Sequence, residues 1–306
     1  MAIKKEKQSA IMNFCKTLQA TINAEGIWSD GESRAMSLLL LEEVAGLSTA
    51  DVLMGRDDAL SEESKAQLRG MAARISKGEP VQYVLGFQRF CGLKISVAPG
   101  VLIPRPETEE LVMLIVDEVQ KMANSSGVLR ILDIGTGSGC IALALKHLLG
   151  ERAKVEAWDL SEEALLIAQK NAESLGLDVH FEQHDILAPE TYAGQFDIIV
   201  SNPPYVCQSE AEEMERNVVE YEPAMALFVK DNDPLLFYRT IAQKAHSLLF
   251  PNGRLFFEIN QRFGQETKAL LEAEGFSDIV VRKDAFGNDR MVKGSPLQTS
   301  PRGGFL

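Results

Sequence analysis

The 306 residues carry a formal charge of -13, from 31 basic and 44 acidic side chains, with 45% apolar and 25% charged residues. That composition is globular, and the length is ample for a sizeable core, while no apolar run approaches the roughly 20 residues of a membrane span. The acidity repels phosphate backbones, and the four cysteines and four histidines show no metal or disulfide spacing. The expectation is a cytoplasmic chain with no metal, no membrane association and no direct nucleic-acid partner. The start, MAIKKEKQSA, carries the one basic cluster and lacks the apolar stretch of a secretory signal.

Residues 1–78 read as helices alone. Ile11, Phe14, Leu18 and Ile22 recur at helical spacing, with Gly26 to end the run. A second helix carries Leu38, Leu39, Leu40, Leu41 and Val44 and stops at Gly46. Ser48 with Asp51 resembles a capping box before a short third helix. Leu68, Met71, Ala72 and Ile75 mark a fourth, ending at Gly78. No catalytic signature stands in this bundle, so packing or partner docking is its expected use.

Residues 79–104 predict a β-hairpin connector. Gln82–Leu85, Gln88–Phe90 and Leu93–Val97 are β-type runs broken by Gly86, Gly92 and Gly100. The segment Leu102–Glu110, LIPRPETEE, then leads into a helix through Leu111, Leu114, Ile115 and Val119.

From Val128 strands and helices alternate, which predicts an α/β fold with helices on both faces of a parallel sheet. Strands fit Leu129–Asp133, Val155–Asp159, Val179–Glu182, Asp197–Ser201 and Arg254–Ile259. Helices fit Cys140–Leu149, Glu162–Leu175, Pro234–Leu249 and Gln265–Glu274. Asp278–Arg282 and Arg290–Lys293 flank Gly287-Asn288 and predict a closing hairpin. This main domain is expected over residues 105–293. The Gly-, Pro- and Ser-rich tail, 294–306, is expected to be disordered.

Between the first of these strands and its helix runs Asp133-Ile134-Gly135-Thr136-Gly137-Ser138-Gly139. Glycines there permit a sharp turn and close approach of a ligand to the backbone. The spacing is GxGxG; a dinucleotide fingerprint wants glycine where Cys140 stands. Asp159 ends the second strand, where a carboxylate suits ribose hydroxyls, or else caps the next helix. Asp185, after the third strand, suits an adenine amino group with Ile186 packed on the base, or else belongs to a plain turn. A glycine loop and two acids at three consecutive strand ends form a far more specific pattern than any one of them.

The fourth strand, FDIIVS, runs into Asn202-Pro203-Pro204-Tyr205. Two prolines lack the donor N–H and take the chain out of the sheet. A planar NH₂ group has a delocalised lone pair and is a poor nucleophile. The Asn202 side-chain oxygen and the Pro203 carbonyl supply acceptors for its two N–H groups, and proline holds that backbone in place. Tyr205 supplies a ring to stack on the planar group. Fixed in this way the nitrogen can attack a methyl sulfonium in line, and the acceptors stabilise the positive charge it gains. No strong base is required, since the proton can leave to water afterwards.

These motifs resemble those of class I S-adenosylmethionine-dependent methyltransferases, with their Rossmann-like sheet. Across about residues 5–293 the chain resembles one family of them, the release-factor glutamine methyltransferases (HemK/PrmC). The narrowing residues are Gly78-Glu79-Pro80-Val81-Gln82-Tyr83, the run Val101 to Glu109 with its PRPETE, then DIGTGSG and SNPPY. The resemblance implies S-adenosyl-L-methionine as cofactor and S-adenosyl-L-homocysteine as product. It implies that Gly135, Thr136, Gly137, Ser138 and Gly139 cradle the methionine end, with Asp159, Asp185, Ile186 and Asn202 completing the cofactor site. It implies that Asn202, Pro203, Pro204 and Tyr205 hold a glutamine, and that Arg105, Glu107 and Thr108 help close the pocket. The substrate would be the glutamine of the Gly-Gly-Gln loop in class I peptide-chain release factors, methylated at N5, with the helical domain docking that factor.

Two related enzymes share Asn-Pro-Pro-aromatic. A nucleic-acid amino-methyltransferase of the adenine N6 type is opposed by the acidic balance and by PRPETE. A ribosomal-protein glutamine methyltransferase resembles PRPETE less. A non-catalytic binding module is opposed by the intact glycine loop and Asn202, and a nicotinamide dehydrogenase by Cys140.

Overall fold

The structure, a computed structural model, describes residues 13–121, 127–189 and 195–297. The chain divides into two compact units. Among the described residues, one holds those up to Gly86 together with Glu215–Tyr221, and the other holds those of Phe87–Met214 and from Glu222 onward.

The first unit is helical: α1 (Phe14–Ile22), α2 (Asp30–Ala45), α3 (Thr49–Leu53), α4 (Glu62–Ile75) and α5 (Val81–Leu85). Asn13, Ser29, Ser48 and Ser61 cap the first four through their side-chain oxygens. Ser29 and Ser48 complete capping boxes with Glu32 and Asp51, satisfying amides that a first turn otherwise leaves unpaired. Leu18, Ile22, Leu40, Leu41, Leu68 and Ile75 are wholly buried in one core. Each contributes about 1.5–3 kcal/mol, so packing, more than intrinsic propensity, holds these short helices.

Two expectations fail here. Helix α1 stops at Ile22, capped by Asn23, and Gly26 stands in the turn beyond it; Ile11 lies outside the described residues. The run Gln82–Leu85 is helical where β structure was expected. Val81 and Val84, one helical turn apart, are both buried, and Gly86 closes the turn at φ 81 with its N–H on the Gln82 carbonyl at 2.8 Å. The helical unit therefore extends to Gly86 instead of ending at Gly78.

The second unit opens with β1 (Phe87–Phe90) and β2 (Leu93–Ser96), an antiparallel hairpin. Cys91 and Gly92 both take positive φ at its turn, 47 and 79, as a tight two-residue hairpin requires. Phe90, Leu93 and Ile95 sink into the core beneath the main sheet, so this hairpin is part of that unit and not a free connector.

Helix α6 (Pro106–Lys121) precedes the alternating region: β3 (Leu129–Ile134), α7 (Cys140–Leu149), β4 (Ala153–Asp159), α8 (Glu162–Leu175), β5 (Val179–Gln183) and β6 (Phe196–Ser201). Then come α9 (Leu236–Leu248), β7 (Leu249–Glu258), α10 (Gly264–Ala273), β8 (Phe276–Lys283) and β9 (Asp289–Pro296). The seven strands lie in the order β8-β9-β7-β6-β3-β4-β5. β3 to β7 are mutually parallel, and β9 and β8 are antiparallel additions.

Side chains alternate across the sheet. Ile131, Ile198, Val200 and Phe256 join α6 and α7 in one core. Leu132, Ile199, Leu255 and Phe257 join α9 and α10 in the other. Strand order runs outward from β3 in one direction and from β6 in the other. Such a reversal opens a crevice beyond the carboxyl ends of the strands, where ligands bind.

The expected tail begins later than residue 294. Gly294 pairs with Leu255 and Pro296 with Phe276. Both neighbouring strands offer partners there, and Gly294 fits because a Cβ would stand 3.3 Å from Ile279 Cγ1. Residues 298–306 lie outside the described residues. Among the described residues no helix is long and apolar enough to cross a membrane.

Candidate active site

The glycine loop leaves β3 at Ile134 and enters α7 at Cys140. Gly135, Gly137 and Gly139 have φ values of 74, 57 and 82, a region that side chains rarely adopt. The N–H groups of Gly135 and Thr136 donate to the Trp158 carbonyl at 2.8 and 2.9 Å. Beneath the loop the buried Asp133 accepts the Thr136 hydroxyl at 2.6 Å and the Ala142 N–H at 3.2 Å. Burial pushes its carboxyl up to about 7.

Asp159 holds the loop from the neighbouring strand. Its Oδ2 accepts the Gly137 N–H at 2.7 Å and its Oδ1 accepts the Ser161 N–H at 2.9 Å. The cap of α8 is Ser161, whose Oγ accepts the Ala164 N–H at 3.2 Å, so Asp159 is left without a capping role. Burial raises its carboxyl, against the hydrogen bonds it accepts from the Ser161, Gly137 and Leu160 amides.

One cleft at the strand ends is lined by Gly135, Gly137, Asp159, Asp185, Ile186, Asn202, Pro203 and Pro204. These lining residues come from four separate segments of the sequence. Around Gly135 and Gly137 no atom lies within 4 Å of where a Cβ would stand, so that side of the loop is open to a ligand. Thr136, Ser138 and Gly139 do not line the cleft. Thr136 bonds to Asp133, the Ser138 carbonyl accepts the Asn171 NH₂ at 2.9 Å, and a Cβ on Gly139 would stand 3.1 Å from Ala168 Cβ. They shape the loop from behind. Asp185 is exposed, and its Oδ1 accepts the Leu187 N–H at 2.9 Å. Trp158 and His184 add a ring pair at the cleft, 4.2 Å between centroids.

Asn202 follows β6, whose last residue, Ser201, donates its hydroxyl to the Ile134 carbonyl at 2.7 Å. Asn202 Nδ2 donates to Thr108 Oγ1 at 3.2 Å. Thr108 in turn donates to Glu258 Oε2 at 2.6 Å, and the Tyr205 hydroxyl donates to Glu258 Oε1 at 3.0 Å. Asn260 Nδ2 holds the Tyr205 carbonyl at 3.1 Å. Burial raises both the Glu258 carboxyl and, joined by the Glu258 charge, the Tyr205 hydroxyl.

The PRPETE segment starts α6 at Pro106. Proline suits that position because its missing N–H would be unpaired there anyway. Thr108 falls in the buried side of this first turn, while Arg105 pairs with Glu222 at 2.5 Å. Arg105, Glu107 and Thr108 stand outside the residues lining the cleft.

The sequence comparisons agree with this geometry. Residues 125–276 match a family model described as a methyltransferase domain, and residues 20–86 match the PrmC N-terminal domain. The release factor glutamine methyltransferase of Bacteroides thetaiotaomicron is 48% identical over 88% of this chain and 94% of its own. Its namesakes in Flavobacterium psychrophilum and Lactococcus lactis are 45% and 41% identical, over 87% and 92% of this chain and 93% and 97% of theirs. The chain belongs to the release factor glutamine methyltransferase family. It is a methyltransferase. A solved structure, the hMettl16 catalytic domain in complex with MAT2A 3′UTR hairpin 6, shares the fold at TM-score 0.52 and 17% identity, over 76% of this chain and 83% of that one.

The family's motifs do not point to Glu258 or Glu222, and both were missed in the sequence. Glu258 carried a readable signal, an acid at the end of the apolar run Leu255-Phe256-Phe257. A charge placed there is expensive unless something holds it. Glu222 had no comparable signal, because its partners stand 117 and 119 residues away.

Proposed function

We propose that this methyltransferase transfers a methyl group from S-adenosyl-L-methionine to the side-chain amide nitrogen, N5, of the glutamine in the Gly-Gly-Gln loop of class I peptide-chain release factors. The observation that carries the reading is the orientation of Asn202. Its Nδ2 is committed to Thr108, so Oδ1 is the end left for a ligand in the cleft that Asn202 lines.

The lining fits the cofactor. Gly135 and Gly137 would admit its methionine end against bare backbone. Asp159, which lines the cleft, would accept from the ribose. Asp185 would accept an adenine N–H, with Ile186 packed on the base. When bound, the cofactor supplies an electrophilic methyl group on a positively charged sulfur, and S-adenosyl-L-homocysteine is the product.

A carboxamide NH₂ offers two N–H donors. Asn202 Oδ1 would accept one and the Pro203 carbonyl the other, which fixes the amide plane. Pro204 stiffens the turn; Tyr205, expected to stack on the amide, stands outside the cleft lining, its hydroxyl on Glu258 and its carbonyl held by Asn260. As the nitrogen gains positive charge, both acceptors bind it more strongly than they bind the starting amide, the condition for lowering the barrier. The surplus proton then leaves to water. Contacts between the release factor and the helical unit would supply docking energy remote from the amide.

The test is to incubate the chain with labelled S-adenosyl-L-methionine and purified release factor, beside bulk RNA and DNA, and to map the product by mass spectrometry. One methyl group on the loop glutamine is the expected result. Label on nucleic acid and none on the release factor would replace this reading with the nucleobase one.

A further inference from the structure

We infer that Glu258 is a positioning residue for the methyl acceptor: through the Thr108 hydroxyl it sets which end of the Asn202 carboxamide faces the cleft, and through the Tyr205 hydroxyl it fixes the ring. This rests on the function proposed above and deepens it.

The chain of donors has one direction. Glu258 is 1% exposed and is the acceptor in both of its side-chain bonds, from Thr108 at Oε2 and from Tyr205 at Oε1. Thr108 has a single hydroxyl proton, which goes to Glu258 Oε2 at 2.6 Å. Toward Asn202 the Thr108 oxygen therefore acts as an acceptor, so it selects Nδ2, at 3.2 Å, and rejects Oδ1. The Asn202 oxygen is thereby assigned to the cleft by a carboxylate that does not itself line it. The second oxygen of Glu258 takes the Tyr205 hydroxyl at 3.0 Å, and Asn260 pins the same residue's carbonyl.

The network has an electronic consequence. Hydrogen bonds in a chain polarise one another. Donation from Nδ2 toward Thr108 and Glu258 draws electron density onto Oδ1, the atom that would face a nitrogen becoming cationic. Arg290 and Glu107 also act on Glu258, the first favouring its charge and the second opposing it.

The test uses the full chain in three variants. Thr108→Val removes the hydroxyl at nearly constant shape. Glu258→Gln carries donor N–H groups, so Thr108 no longer meets a pure acceptor. Each is expected to lower kcat on release factor on the order of 10²-fold, the usual consequence of misplacing a reacting group by about 1 Å. S-adenosyl-L-homocysteine affinity and melting temperature should stay near wild type. Thr108→Ser, which restores the hydroxyl, should recover most of the lost turnover. Thr108→Val at wild-type kcat would overturn the proposal.

A second readout does not depend on the substrate. The Asn202 side-chain NH₂, assigned in NMR spectra through Asn202→Ala, should exchange slowly with solvent in the wild type and quickly in Thr108→Val. Equally fast exchange in both would overturn the role of Glu258. If wild type methylates no release factor, the proposed function falls, and the exchange rates still decide the network.

Discussion

Asp159 Oδ2 accepts the Gly137 N–H at 2.7 Å, so the acid at the end of β4 also folds the glycine loop at the end of β3. The two motifs are one construction. Asp159→Ala should weaken S-adenosyl-L-methionine binding by about 1.5–3 kcal/mol, the range for hydrogen bonds to a charged acceptor. It should also lower the melting temperature, because the Gly137 and Ser161 amides lose their acceptor. Calorimetry giving wild-type affinity in a folded variant would remove Asp159 from the site.

The parts of this site that were legible in the sequence are those whose chemistry sits in consecutive residues. The glycine spacing, the prolines of NPPY and the acids at strand ends each constrain the backbone locally, and the central strands β3 and β6 stand out as apolar runs buried on both faces. Thr136, Ser138 and Gly139 come to the cofactor only through the family resemblance. The three-dimensional turn of the loop directs them inward, and spacing carries no information about that turn. The β-type expectation for Gln82–Leu85 fails because so short a run fits either period. Glu258 acts through partners 53 and 150 residues away and Glu222 through partners 117 and 119 away, pairings that no local pattern records.

Asn202→Ala separates chemistry from folding. The side chain makes its bond to Thr108 at a half-buried position, so the fold loses little when it is removed. Turnover on release factor should fall at least on the order of 10²-fold, as for loss of a pre-placed polar group. Melting temperature should hold. Near-normal turnover would refute the acceptor role.

Asp133 makes stability depend on pH. Its carboxyl rises from 3.8 to about 7 in the folded chain. Between those values the folded state holds a proton that the unfolded state has released, so the contribution of Asp133 to stability is full below about pH 4 and is lost as pH rises toward 7. Asp133→Asn cannot titrate and keeps an oxygen for Thr136 and Ala142. Urea unfolding at pH 5 and pH 7 should show a smaller loss between the two for the variant than for wild type. Identical pH slopes would mean that Asp133 is ionised throughout.

Glu222 ties one wall of the cleft to the other. Its Oε2 accepts the Ile103 N–H at 2.9 Å and its Oε1 meets Arg105 at 2.5 Å. Val101 and Leu102, just before, and Met225 and Ala226, just after, all line the cleft. The Glu222 side chain is 1% exposed and that of Arg105 33%, so solvent weakens the ion pair and the buried amide bond dominates. Glu222→Ala leaves the Ile103 N–H buried without an acceptor, which costs about 1–3 kcal/mol, and frees residues 101–105 to move. It should lower stability by that amount and raise the Kd for S-adenosyl-L-homocysteine. Glu222→Gln keeps an oxygen for Ile103 and loses only the charge on Arg105, so its effect on both quantities should be smaller. If the two variants are equally impaired, the ion pair, and not the amide bond, holds this wall.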